Sequence, residues 1–318
     1  MSSLLSATAL TLTDWAKRLD PDGSVAVIVE ALSQTNEILT DMMWIEGNLP
    51  TGHRSTVRTG LPSVTWRLLN YGVQPSKSET AQVDDSCGML EAYSQVDKKL
   101  ANLQGNLGAF RLSEAKSFLE AMSQEMASKF FYGNTATDPK TPMGMSARYS
   151  STTAGNGGNI IDGGAAGGQT DLMSVWLIAW GENTVHGIFP KGSKAGLQHD
   201  DLGEETLIDA AGGLYQGYRD HFSWDAGFTV RDWRYAVRIA NIDKSVLIAN
   251  SSPADLIVLM IRAMDKLPNQ SVGNKVFYMN RVCYTMLKIQ ALGKSSAALS
   301  VEHGSSPVPT ERPSSSSW

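Results

Sequence analysis

The run Val175-Trp176-Leu177-Ile178-Ala179-Trp180 constrains this chain more than any other stretch. Six consecutive apolar residues are too few for most helices, and they are rich in strand formers, so they read as a β-strand. Gly181-Glu182-Asn183 supplies turn chemistry. Thr184 to Phe189 then reads as a second, apolar-leaning strand stopped by Pro190. From Lys191 to Glu204 the chain is polar, punctuated by glycine and without a helical period, which reads as a surface loop. Two paired strands feeding a long loop make a scaffold, and no catalytic constellation is visible in them.

A different pattern occupies Gly52 to Leu100. Arg54, Thr56 and Arg58 alternate with Ser55 and Val57, and Val64, Trp66 and Leu68 alternate with Thr65, Arg67 and Leu69. A polar loop from Asn70 to Glu79, containing Pro75 and Lys77, precedes two more strand-like segments that end near Val96. A ribbon of about fifty residues with few large apolar side chains cannot form a core of its own and must lie against something else. That partner is either its own domain or a neighbouring subunit. Arg54, Arg58 and Arg67 form a basic row suited to an acidic surface on a neighbour; the plainer reading is a solvated hairpin face.

The best helix is Ser113 to Phe131. Ala115, Phe118, Leu119, Met122, Met126 and Phe130 share one face, Ser113 is a candidate N-cap, and Gly133-Asn134 ends the helix. Its methionines read as core packing rather than a ligand groove. Asp138 to Thr170 is rich in glycine and proline and reads as a linker at a domain boundary. Beyond it, Tyr215 to Trp224 and the alternating Trp233, Tyr235, Val237 and Ile239 predict a mixed sheet. Ser252-Pro253 is read as opening a helix whose buried face is Leu256, Met260, Ala263 and Leu267. A strand at Lys275–Met279, a helix from Asn280 to Leu292 closed by Gly293, and a strand at Leu299–Val301 follow. Before residue 50, Thr13 or Asp14 is placed as the cap of a short helix, and Val25 to Leu39 as a second helix of a peripheral arm.

Composition excludes several classes. With 318 residues, 42% hydrophobic and 19% charged, the chain can bury a full core and is not a disordered one. A net charge of −5 argues against strong nucleic-acid binding by the monomer, though a locally neutral face against packaged DNA is compatible with it. Cys87 and Cys283 lack metal spacing and read as free thiols in a reducing compartment. No signal peptide pattern is present, and Leu256–Ile261 is too short to cross a bilayer, so a soluble cytosolic product without membrane partners is expected.

Candidate chemistry is thin. Gly187 to Lys194 matches a phosphate loop in spacing, but Ser193 and Lys194 stand in reversed order and Pro190 stiffens the segment. His199, Asp200 and Asp201, with His186 and His221, are ligand types at no metal spacing. Trp224 with Asp225, and Asp232 with Trp233 and Arg234, have the residue types of a carboxylate–arginine site, and a cross-strand ion pair beside packed tryptophans is the ordinary reading. No cofactor, metal or catalytic residue is expected.

Several segments resemble the central strands of tailed-bacteriophage major capsid proteins with the Hong Kong 97-type fold. They are Trp176 to Gly181, Thr184-Val185-His186-Gly187 and Pro190-Lys191-Gly192-Ser193-Lys194-Ala195-Gly196, then Tyr218 to Asp225, Val230-Arg231-Asp232-Trp233-Arg234-Tyr235 and Arg238-Ile239-Ala240-Asn241. The resemblance runs from roughly the first helix to about Val301. It implies an α+β chain with an N-terminal arm over residues 1–51 and an extended β-hairpin loop over 52–100. A peripheral domain over 101–150 would hold a spine helix at 113–131, and 151–250 would be mainly the axial domain with return strands. Residues 251–304 would complete the core. Implied inter-subunit contacts are Arg54, Arg58, Trp66, Arg67, Pro75 and Lys77. The work implied is assembly into pentamers and hexamers of an icosahedral head around double-stranded DNA, contacted non-specifically, in the bacterial host cytoplasm. A separate scaffolding protein, a portal and decoration proteins are implied partners. Lys77 lies where some members form an isopeptide cross-link, but no motif fixes its partner. The rivals are a bacterial nanocompartment shell and a soluble hydrolase built on the histidines and aspartates.

After Val301 the sequence departs from the resemblance. Related proteins continue with an apolar strand and a polar turn, whereas Ser305 to Trp318 is dominated by serine and proline. Such a segment cannot pair in a central sheet. A disordered tail is expected here, from either a frame-shifted or a naturally short C-terminus.

Overall fold

The computed structural model describes residues 36–102, 107–165, 170–209, 211–250 and 253–293. The helical pieces expected before residue 36, the strand expected at Leu299–Val301 and the tail from Ser305 lie outside the described residues. In order, the elements are α1 (Glu37–Asp41), β1 (Trp44–Glu46), β2 (Gly52–Gly60), β3 (Glu79–Ser86), β4 (Gly88–Asp97), α2 (Lys98–Ala101), α3 (Leu107–Tyr132) and α4 (Met145–Arg148). They continue with β5 (Ile160–Asp162), β6 (Leu172–Trp180), β7 (Val185–Phe189), β8 (Gln198–Ile208), β9 (Leu214–Val230) and β10 (Ala236–Asp243). The last are α5 (Lys244–Ala249), α6 (Leu256–Asp265), β11 (Asn274–Tyr278) and α7 (Arg281–Gly293). The chain is α+β.

Strand β6 is the middle of the molecule. β10 pairs with it antiparallel along one edge and β11 antiparallel along the other. From Val175 to Trp180 no residue is more than 3% exposed. Alternation explains why all six positions are apolar. Trp176, Ile178 and Trp180 face a core completed by Met122, Met126 and Phe130 of α3. Val175, Leu177 and Ala179 face a second core, completed by Leu247 of α5, Leu256, Leu259 and Ala263 of α6, and Cys283 and Leu287 of α7. One strand therefore carries a core on each face, with helices covering both. Trp180 Nε1 also donates to the Tyr278 hydroxyl (2.7 Å), which donates to Asp41 (2.9 Å), tying β6 and β11 to the end of α1.

The full sheet runs β4-β9-β7-β6-β10-β5, with β1 added on β7, β11 on β6 and β8 on β9. β9 is 17 residues long and serves two neighbourhoods. Its first part lies between β4 and β8, and its end, Gly227 to Val230, pairs with β7. β2 and β3 stand apart as a two-stranded hairpin.

The structure changes several sequence expectations. The helix read from Ser113 begins at Leu107, leaving Ser113 in its interior, because Phe110 continues the buried face against Val96 and Ala101. Glu114, a charged residue off the apolar face, is nonetheless only 8% exposed. The helix read as opening at Ser252-Pro253 starts at Leu256, where the Asp255 carboxylate accepts from the Val258 amide (3.2 Å). The strands at 174–180 and 184–189 are not a hairpin. They meet in parallel only at Trp180 and Val185, and β7 then leaves for β1 and β9. The loop read over Lys191–Glu204 becomes β8 from Gln198, a strand whose one large apolar residue before Leu207, Leu202, is exposed, because much of the strand faces solvent. Trp233 and Tyr235 lie in a 3-10 turn rather than a strand, and within the glycine-rich linker Ile160–Asp162 forms a strand on β10. Cys87 and Cys283 are free thiols. Among the described residues no helix is long and apolar enough to cross a membrane.

Truncating β6 tests its central place. Leu177→Ala, at 0% exposure, is expected to lower subunit stability by about 2–5 kcal/mol, read as a shifted midpoint in urea denaturation with an unchanged slope.

Candidate assembly interface

The β2–β3 hairpin is the part of the fold with the least reason to exist in an isolated subunit. Register runs from Gly52 opposite Ser86 to Gly60 opposite Glu79. Burial fades along it: Gly52, His53 and Ser55 are buried at the root, and beyond Gly60 everything to Glu79 is exposed. The tip, residues 61–78, is irregular and apolar. Trp66 is 101% exposed and Val64 91%, and Leu61, Leu68, Leu69 and Tyr71 are exposed around them. Such a concentration of exposed large side chains is unusual for a solvated turn. The tip is nonetheless shaped, since the Ser76 hydroxyl donates to the Ser63 carbonyl (2.8 Å) and Asn70 takes a left-handed φ of 68° in a turn closed by Tyr71 N–H to Leu68.

All six residues singled out from the sequence fall on this hairpin. Trp66, Arg67, Pro75 and Lys77 are exposed in the tip, and Arg54 and Arg58 share the exposed face of β2. Three expectations need correcting. Val64–Leu68 is not a strand: alternation shows where a strand could be pressed flat, but nothing among the described residues presses on it. The ribbon also ends earlier than read, because β4 leaves it after Cys87 and joins β9 in the main sheet. The basic row is interrupted too, for Arg54 grips its cross-strand partner Asp84 through two bonds of 2.5 and 2.6 Å. Those bonds hold the Asp84 carboxyl below the usual carboxylate range. Both side chains are about half exposed, so the pair adds little stability.

At the root, sequence reasoning missed the residues that fix the hairpin. Asp85, 5% exposed, accepts from Arg148 of α4 (2.6 Å) and from the Thr229 hydroxyl of β9 (2.5 Å). Arg148 also donates to the Met143 carbonyl (3.2 Å) and lies over the Phe228 ring at 5.0 Å. Asn48 clasps the other strand, donating to the Arg54 carbonyl (2.8 Å) and accepting from its amide (2.7 Å). Nothing in the local pattern around Asp85 signals this, since its partners are 63 and 144 residues away.

The other candidate sites do not assemble. Gly187 sits inside β7 with Met42 and Trp44 packed where a side chain would be, and the Gly192 amide is taken by the Glu46 carboxylate (2.8 Å), so no phosphate cradle forms. His199 bonds to Asp220 (2.9 Å), which Arg111 also clamps together with Asp201. His221 stacks on Tyr93 at 4.5 Å, and His186 lies elsewhere against His53. Among the described residues no group of His, Cys, Asp or Glu is placed to hold a metal. Asp232 and Arg234 form a local pair around the 3-10 turn (2.9 and 2.7 Å), not a cross-strand one.

Comparison with known proteins gives the fold its setting. A chain in the solved structure of bacteriophage Epsilon15 is 32% identical to this one, over 96% of this chain and 92% of that one, at a TM-score of 0.71. A chain of the SrpI encapsulin complex from Synechococcus elongatus PCC 7942 aligns at 11% identity, over 74% of this chain and 97% of that one, at a TM-score of 0.47. At that distance it bears on neither fold nor function here. Nothing among the curated proteins matches. The sequence model of one family, described as major capsid protein GP7, matches residues 20–308. A fold shared with a phage particle, together with that match, defines the class: a structural, non-enzymatic subunit of a phage capsid shell, located in the virion. The chain belongs to the major capsid protein GP7 family.

The two ion pairs of the hairpin predict opposite outcomes. Arg148→Ala leaves Asp85 buried and uncompensated and is expected to cost about 3–5 kcal/mol. Arg54→Ala, on the exposed pair, is expected to leave stability nearly unchanged. Urea denaturation of both variants checks the contrast.

Proposed function

We propose that this subunit closes into pentamers and hexamers that tile an icosahedral head around double-stranded DNA, and that the β2–β3 hairpin is the arm reaching over the next subunit. The observation that carries the reading is the tip: Trp66 and Val64 are fully or nearly fully exposed at the end of a hairpin anchored by a buried ion pair. An isolated subunit gains nothing from that arrangement. Burying each such side chain on a neighbour contributes about 1.5–3 kcal/mol, against the cost of ordering the arm. Head-to-tail contacts of this kind close into rings when the rotation per subunit allows it. In a Hong Kong 97-type arrangement, residues 1–51 form the arm at the N-terminus and α3 is the spine of the peripheral domain. The span 151–250 is mainly axial, and 251–304 completes the core. Arg58, Arg67, Pro75 and Lys77 join Trp66 at the contact. Assembly takes place in the host cytoplasm, with a separate scaffolding protein, a portal and decoration proteins as partners and DNA contacted without sequence preference.

Deleting Asn70–Ser78 is expected to leave a folded subunit, with an unchanged urea midpoint, that no longer closes shells in negative-stain images. Normal shells from this variant would exclude the hairpin as the arm. Arg58→Glu with Arg67→Glu is expected to slow assembly most at low salt, where surface charges are least screened. Light-scattering kinetics that stay unchanged across a salt series would instead assign those arginines to a solvated face.

A further inference from the structure

Behind the Asp85 ion pair, the hairpin meets the main sheet through two histidines. His53 on β2 and His186 on β7 lie edge to face, with ring centroids 6.0 Å apart. They are 9% and 0% exposed, and no nitrogen of either ring meets full hydrogen-bond geometry among the described residues, the Gly181 backbone being the one polar group that approaches His186. A buried imidazole without partners is held in its neutral form.

The charges around the pair reinforce this. Arg231, just beyond β9, opposes a proton on either ring, and His53 opposes one on His186. Asp85 on β3, cross-strand from His53, favours a proton on both rings, and the Gly181 backbone favours one on His186. However, Asp85 is already engaged by Arg148 of α4 and Thr229 of β9. Burial is the largest influence, and it pushes His53 below its usual value and His186 down to about 4.

We propose that the His53–His186 contact makes the root of the β2–β3 hairpin an acid-released hinge, in which a proton on either ring parts β2 from β7 and lets the hairpin swing. The hinge rests on the geometry of the root; only its use in assembly rests on the hairpin being the inter-subunit arm. An opened root exposes both rings, whose ordinary value is near 6.5. Between about pH 6.5 and pH 4 the open state therefore binds more protons than the closed one. The closed root is fully favoured above that window and loses ground as pH falls through it, levelling off near the lower end. For His186 alone the window corresponds to a change of up to about 300-fold in the open-to-closed ratio.

Hydrogen–deuterium exchange on the unassembled full-length subunit tests this, with rates at pH 5.0 and 7.5 corrected for the intrinsic pH dependence of exchange. Peptides from β2 and β3 near the root are expected to open at least tenfold more at pH 5.0, with β6 peptides unchanged. The double variant His53→Gln/His186→Gln is expected to lose that response. An equal acid response in the variant, or none in the natural chain, overturns the proposal. Should the variant fail to fold, a titration of the imidazole carbons by NMR in the natural chain decides: a depressed midpoint for His186 supports the hinge, and midpoints near 6.5 for both rings overturn it. Failure of the deletion variant to block shell closure leaves this readout untouched.

Discussion

Everything in this subunit depends on β6 being held on four sides. Its two edges are hydrogen-bonded to β10 and β11, and its two faces carry separate cores. Without it the core beneath α3 would lose Trp176, Ile178 and Trp180, and the core beneath the α5–α7 group would lose Val175, Leu177 and Ala179. This is why an uninterrupted apolar run, rather than an alternating one, occupies Val175–Trp180.

The hairpin is stabilised on a different principle. Its upper half buries almost nothing, so it owes its direction to the root, where a carboxylate, a guanidinium and a hydroxyl meet at Asp85. Buried ion pairs of this kind add specificity of geometry more reliably than net stability, and geometry is what a projecting arm needs. The subunit thus divides its labour: apolar packing makes the body, while a few polar contacts aim the part that reaches outward.

How far this was legible in the sequence follows the same division. The central strand, the apolar face of α3 from Ala115 to Phe130, and the faces of α6 and α7 announce themselves, because local periodicity reports burial that is continuous along one element. β8 was hidden because half of it faces solvent and its polar residues look like a loop. Val64–Leu68 misled in the opposite sense, since alternation records a strand-like surface even where no strand partner stands among the described residues. The six contact candidates were found through their setting in a coreless ribbon. Asp85, Arg148, Thr229, His53 and His186 were not, because each is an ordinary residue until residues far apart in the chain are brought together. Resemblance in the strands around Trp176 and Trp233 supplied the family; the residues that anchor the arm had to come from the fold.

One further consequence follows from the length of β9. Its 17 residues cover about 56 Å at ordinary strand rise, with β4 and β8 on its two sides and β7 at its end. A tensile load applied along such a strand falls on many cross-strand hydrogen bonds at once, in shear, instead of peeling them apart singly. The two ends of the sheet are therefore joined by an inextensible tie, and strain imposed at one end of the subunit reaches the other with little slack. A shell made of these subunits would resist stretching within each one and would yield first at the joints between them.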